Sequence, residues 1–328
     1  MFKKYNSIEN TYREKVIEQI HLHGYGTDTF VVQEKVHGAN FSFICDGKDV
    51  RVAKRTALIE EGEQFNNYRF VLEMYKVRIL ELFSLLKSDI PEVVVIHVYG
   101  ELFGGSYGHP DVKKIPSMVK VQKGISYSPK NDFYAFDICV NQEKYLDVHQ
   151  ANSYFEKTGM FYAKTLFEGS LQDCLEYPNL FSTYIPLWLG YPEMETNFCE
   201  GVVIRPSKNS MFRNGSRVIL KNKNEKWSEK SNVKKVVKPI EFTKDETILW
   251  NILHSYLTEN RLINVQSKLG EFQIKTIGKT IGFFAKDALE DFTKEHRTLW
   301  DTIEKERRKV ITKRLNVVSA TLVKAMYL

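Results

Sequence analysis

Apolar and polar residues alternate in short runs over the first two thirds of the chain and recur at helical spacing over the last third. Phe30-Val31-Val32 leads directly into Gln33-Glu34-Lys35 and predicts a strand. Residues 40–45 and 49–55 predict two more, joined at Asp46-Gly47-Lys48, where Asp-Gly is a hairpin signal. Between residues 67 and 87, Tyr68, Val71, Tyr75, Ile79, Leu82 and Leu86 stand three and four apart, which puts them on one face of a long helix. Further strands are expected at 93–102, 133–140, 201–205 and 217–220. Helical patches fall near 147–157 and 170–177. Residues 8–23 read as a polar helix that Gly24 and Gly26 end.

After residue 230 the strand signals stop. Residues 231–239 are polar and basic and end in Pro239, the composition of a linker. Beyond residue 243 the signals are helical: Ile248, Leu249, Ile252, Leu253, Tyr256 and Leu257 repeat at helical spacing. Stretches near 275–293 and 296–326 follow less cleanly. The pattern therefore predicts an α+β domain over residues 1–232 and a small all-helical domain over 240–328, a division that 328 residues accommodate.

Composition narrows the class only a little. With 43% hydrophobic and 27% charged residues the balance is that of an ordinary globular chain. No apolar run approaches the ~18 residues that cross a bilayer, and the opening MFKKYNSIENTYREK has no apolar signal core. An intracellular protein is expected, cytoplasmic or set in a virus or organelle, and a monomer by default. Cys45, Cys139, Cys174 and Cys199 are scattered without a CxxC pair, so neither a zinc site nor a disulfide framework is indicated. The net charge of +6 hints weakly at a polyanionic partner. The hint sharpens locally: seven lysines against two glutamates lie between Lys221 and Lys238, among them Lys226 and Lys230.

The candidate chemistry begins at Glu34-Lys35-Val36-His37-Gly38-Ala39-Asn40. A free lysine has a pKa of ~10.4 and is almost wholly protonated at neutral pH. To attack phosphorus its amine must lose that proton, which burial, nearby cations or a metal would favour. A lone lysine beside a glycine is ordinarily a solvated strand end. Here it does not stand alone. The segment resembles motif I of the covalent nucleotidyltransferases, the superfamily of DNA ligases, RNA ligases and mRNA capping enzymes. Further matches follow in that superfamily's order: Arg55 in Ala53-Lys54-Arg55-Thr56, Glu101 in Val98-Tyr99-Gly100-Glu101-Leu102, and Phe136 in Phe133-Tyr134-Ala135-Phe136-Asp137. Glu200 in Glu200-Gly201-Val202-Val203-Ile204-Arg205-Pro206 and the pair Lys221 and Lys223 complete the set.

His37 in place of Asp, followed by Asn40, is similar to the RNA ligase 2 family, which includes phage double-strand RNA ligases and trypanosome RNA-editing ligases. That resemblance implies a nucleotidyltransferase (ATP-grasp-like ligase) domain of antiparallel sheets with helices, followed by a helical RNA-binding domain. It implies ATP and Mg²⁺ as cofactors, AMP carried on Lys35, and sealing of 5′-phosphate and 3′-hydroxyl RNA ends, with nicked duplex as the expected partner. By the same resemblance Lys35, His37, Lys221 and Lys223 are catalytic, and Glu34, Asn40, Arg55, Glu101, Phe136 and Glu200 hold the nucleotide. Glu200 would also hold the metal, and Arg261, Asp287, Lys226 and Lys230 would contact RNA. Two departures, Gln33 at a place that is basic in some relatives and Ala39 at one that is often Thr, lie near the nucleotide or RNA contact zone. The competing readings are a DNA ligase or capping enzyme, and a non-catalytic RNA-binding protein of the same fold.

Overall fold

The computed structural model describes residues 2–227, 242–270 and 272–327. It divides into two compact units, Met1–Lys226 and Trp227–Leu328. In chain order the first unit contains β1 (Glu9–Asn10), α1 (Glu14–Leu22), β2 (Phe30–Glu34), β3 (Ala39–Cys45), β4 (Val50–Lys54), β5 (Ala57–Leu58) and α2 (Tyr68–Asp89). There follow β6 (Ile96–Ser106), β7 (Ser128–Val140), β8 (Lys144–Tyr145), α3 (Val148–Lys157), β9 (Thr165–Gly169), α4 (Leu171–Glu176), α5 (Ile185–Trp188), β10 (Gly201–Pro206) and β11 (Leu220–Lys223).

These strands make two sheets, ordered β1-β11-β10-β2-β9 and β5-β4-β3-β6-β7-β8. Neighbours pair antiparallel except β1 with β11. The β3–β4 hairpin turns where expected, because the Asp46 carboxylate accepts from the Lys48 and Asp49 amides, both at 3.0 Å. The apolar stripe of α2 packs on the β3–β6–β7 face around Phe41, Phe43, Val98 and Phe133. The other sheet builds its own core from Phe30, Val32, Val202, Ile204 and Leu220 with Ile20 and Leu171. Tyr5, Tyr99, Tyr145 and Ile219 form a smaller cluster with Phe136 and Val203, which brings residues of both sheets together.

Several elements differ from the sequence reading. The first helix begins only at Glu14, because Glu9 and Asn10 pair with Leu220 and Lys221 instead. The strand read at 217–220 runs from Leu220 to Lys223, and Arg217 makes an isolated bridge to Met211. Strand β9 carried no signal, since it is short and half exposed. It is the antiparallel neighbour of β2.

The second unit holds α6 (Lys244–His254), α7 (Glu259–Leu269), α8 (Ile277–Glu295), α9 (Arg297–Asp301) and α10 (Lys305–Tyr327). Thr243 caps α6 in a reciprocal box with Glu246, and Thr258 caps α7 through the Arg261 amide. Leu249, Leu253, Leu262, Phe284, Phe292, Ile311 and Leu315 form its core. The 231–239 linker reading and the exact domain boundary near 232–240 lie outside the described residues. No helix among the described residues is long and apolar enough to cross a membrane. All four cysteines are free and buried.

Candidate active site

The segment from Lys35 to Gly38 passes from one sheet to the other. The Lys35 amide donates to the Gly201 carbonyl at 2.9 Å, so the β2–β10 ladder continues up to the lysine. The chain then presses against β6. A Cβ on Gly38 would sit 2.5 Å from the Leu102 carbonyl oxygen, so only glycine permits the approach. Next to it, the His37 amide donates to the Tyr127 hydroxyl at 2.9 Å.

Glu200 is the centre of the site and is fully buried. Lys35 Nζ donates to its Oε2 at 2.8 Å, and Lys223 Nζ lies 2.7 Å from its Oε1. His37 Nδ1 lies 3.4 Å from Oε2. Burial works to raise the Glu200 carboxyl, but Lys223, Lys35 and His37 outweigh it and hold the group well below the ordinary range. Burial also lowers His37, with Glu200 opposing, and the net shift favours the neutral imidazole. One ionised carboxylate therefore fixes two amines and an imidazole at a single point.

The turn that presents Glu200 depends on its neighbour. Gly201 has φ +141°, and a Cβ there would meet the Asn222 carbonyl oxygen at 2.1 Å. Gly201→Ala is expected to destabilise the first unit by about 2–3 kcal/mol, through backbone strain and separation of β10 from β11. Urea denaturation checks this, and an unchanged midpoint would refute it.

The other expected nucleotide contacts gather on the same two sheets. Asn40 and Glu101 face each other across the β3–β6 register, both half-buried. Arg55 follows β4 and reaches the Asn6 carbonyl at 3.4 Å. Lys221 and Lys223 are two residues apart on β11 and so share a face. Phe136 is half-buried, its ring 5.0 Å from Tyr5. Directly behind it, Asp137 Oδ2 accepts from Tyr5 Oη (2.7 Å), Arg205 Nη1 (2.8 Å) and Arg217 Nη1 (2.6 Å). Arg205 Nη2 also donates to the Phe136 carbonyl at 2.7 Å. Sequence reasoning gave none of these three charged residues a role. The available signal was an aspartate inside an apolar strand, which demands a cationic partner when buried.

Glu34 lies outside the Glu200 cluster. Its carboxylate accepts from the Thr183 hydroxyl and, at 2.9 Å, from the Tyr184 amide. Burial pushes its carboxyl up to about 7 despite those two donors. Folded chains then bind a proton that unfolded chains release between pH ~4.5 and ~7, so Glu34 makes stability fall as pH rises through that window. Glu34→Gln is expected to remove up to about 3 kcal/mol of that fall. Urea midpoints of parent and variant at both ends of the window measure it, and parallel pH curves would refute it.

With this geometry in place, the comparisons are decisive. Residues 28–223 match the family model described as RNA ligase. The chain belongs to the RNA ligase family. Residues 241–321 match the model described as T4 RNA ligase 2 C-terminal. Mitochondrial RNA-editing ligase 2 of Trypanosoma brucei brucei is 29% identical over 357 aligned positions, covering 90% of this chain and 84% of that one. Mitochondrial RNA-editing ligase 1 of the same organism is 28% identical, covering 86% of this chain and 74% of that one. A solved Naegleria gruberi RNA ligase mutant with ATP and Mn is 13% identical with a TM-score of 0.46, over 68% of this chain and 57% of that one.

In an RNA ligase the chemistry needs a metal, and the residues present fit one. No group of three or more His, Cys, Asp or Glu among the described residues could hold an ion alone. Mg²⁺ commonly takes one or two protein carboxylates together with substrate phosphates. An ionised, buried Glu200 beside amines that attract phosphate has that character.

The expected RNA contacts fare unevenly. Lys226 is exposed and donates to the Gly124 carbonyl at 3.4 Å, while Lys230 lies outside the described residues. Arg261 is fully buried, bonded to Asp287 and, at 2.9 Å, to Asp291. Its guanidinium joins α7 to α8 through those two carboxylates. Asp287 is engaged in the same ion pair and also by Lys268 at 3.3 Å. Gln33 and Ala39 are buried as well. The Gln33 amide donates to the Ala163 carbonyl at 2.6 Å, and Ala39 packs in the β3–β6 core, so neither departure sits on an open contact surface.

Proposed function

We propose that this ATP-dependent RNA ligase carries AMP on Lys35 and joins a 5′-phosphate to a 3′-hydroxyl. The observation that supports it best is the pair of amines, Lys35 and Lys223, fixed on the two oxygens of one buried, ionised carboxylate. A nucleophile and a phosphate-neutralising cation are thereby held on opposite oxygens of one carboxylate.

In the first step the Lys35 nitrogen attacks the α-phosphorus of ATP and gives up a proton. The N–P bond forms as the P–O bond to pyrophosphate breaks. Lys221 and Lys223 neutralise the negative charge that gathers on the phosphate and leaving group. Arg55 forks onto nucleotide oxygens, Glu101 and Asn40 accept from or donate to the ribose, and Phe136 stacks on the adenine. A bound Mg²⁺ supplies further positive charge at the phosphates, with Glu200 as its protein ligand. In the second step a 5′-phosphate oxygen of RNA attacks the same phosphorus, the N–P bond breaks, and Lys35 regains a proton. In the third the RNA 3′-hydroxyl attacks the 5′-phosphorus and AMP leaves. His37, buried beside Glu200 with its pKa held below the ordinary value, contacts phosphate as a neutral imidazole in this reading.

The preferred substrate is a nick in duplex RNA, gripped by shape and 2′-hydroxyls rather than sequence, with the helical unit as the added duplex contact and the chain acting as a monomer. The test supplies ATP or GTP with nicked duplex, single-stranded RNA, or nicks with a DNA 3′ end. Joining driven by ATP and strongest at RNA nicks is expected. Label taken from GTP, or equal sealing of DNA 3′ ends, would overturn the assignment.

A further inference from the structure

Between β6 and β7, residues 107–127 leave the sheet. Lys113, Lys114, Lys120 and Lys123 in this loop are all exposed, and Asp111 is its single carboxylate. The loop is docked along β6. Gly104 and Gly105 have φ +84° and +87°, and a Cβ on Gly105 would sit 2.0 Å from the Val119 carbonyl oxygen. Asn131 donates to that oxygen at 2.7 Å and accepts from the Val119 amide at 3.1 Å. The Val121 amide donates to the Gly104 carbonyl at 3.1 Å.

The far end of the loop clasps the nucleophile's own segment. Gln122 Nε2 donates to the Gly38 carbonyl at 3.2 Å, and Tyr127 accepts from the His37 amide. Lys226, from the basic stretch after β11, donates to Gly124 in the same loop. Exposed lysines thus lie on a loop whose far end is hydrogen-bonded to motif I.

We propose that this loop is a phosphate-tracking surface for the RNA strand whose end lies at Lys35. Its four exposed lysines are spread over residues 113–123 of the chain, which suits a repeating polyanion better than a single phosphate. The choice of RNA as that polyanion rests on the ligase reading. The loop therefore sets how the strand enters, while the Glu200 cluster performs the chemistry.

The test is ATP-free binding of a nicked RNA duplex to the full chain across a range of salt. In Lys113→Gln/Lys114→Gln/Lys120→Gln, binding should weaken about tenfold or more, and the slope of log affinity against log salt should fall by about 2–3. The corresponding triple arginine variant should bind within about twofold of the parent, since charge is kept. If the triple glutamine variant does not fold, Lys113→Gln and Lys120→Gln singly should each lower the slope by about one. Affinity and slope equal to the parent's would overturn the proposal. Because the assay needs no ATP, a parent that binds RNA with this salt dependence yet takes no AMP would refute the ligase reading and leave the loop's role standing.

Discussion

A Lys35→Ala chain takes no label from ATP radioactive at the α-phosphorus, and a Lys35→Arg chain takes none either. On the proposed mechanism the Lys35 amine, 2.8 Å from Glu200, forms the N–P bond, so its removal abolishes the covalent product rather than slowing it. Arginine keeps the positive charge opposite Glu200 but stays protonated at any working pH, which separates nucleophile from counter-ion. Lys223→Ala leaves the nucleophile in place and removes charge stabilisation, so labelling should slow by about 10²–10³. RNA that already carries AMP on its 5′-phosphate bypasses the first step, and the Lys35→Ala chain should still seal it. Labelling of the alanine variant equal to the parent's, on the protein and retained on a denaturing gel, would end the assignment.

How much of this was readable in advance depended on whether the signal was local. The β3–β4 hairpin is written in an Asp-Gly turn, and α2 in a stripe of six apolar residues, and both formed as read. Glu200 and Gly201 stood out through the motif, although the reason for the glycine, a carbonyl of β11 at the position of its missing Cβ, exists only once the strands pair. Strand β11 was misplaced because its ladder reads Leu-Lys-Asn-Lys: one face serves the site, so the apolar alternation that marks a strand is absent. Arg261 shows what sequence position alone leaves open. Resemblance pointed to a cation with a job in the helical unit, but a sequence does not say whether a guanidinium faces solvent or two carboxylates of the next helix. The same holds for Asp137, whose partners lie 68 and 80 residues away.

Asp137→Ala is expected to cost about 3–5 kcal/mol, a large share of the roughly 5–15 kcal/mol that holds a domain together. Arg205 and Arg217 are almost wholly buried, and the single Asp137 oxygen receives both. Removing it leaves two guanidiniums facing each other away from water. Asp137→Asn keeps the shape and fails nearly as badly, because the arginines need the charge. The loss should also reach the nucleotide site, since Arg205 holds the Phe136 carbonyl and Tyr5 supports its ring. Whatever fraction still folds should show a raised KM for ATP. The pH dependence gives an independent check. Burial works to raise the Asp137 carboxyl, but Arg217 and Arg205 win and hold it below the ordinary range. A depressed folded value means its stabilisation is complete above the unfolded value, ~3.9, and is lost only as pH falls through the folded one. The gap between parent and variant in urea midpoint should therefore be constant near neutrality and close only in strong acid. A gap that closes between pH ~5 and ~7 would show that another titrating group, and not this buried triad, carries the stability.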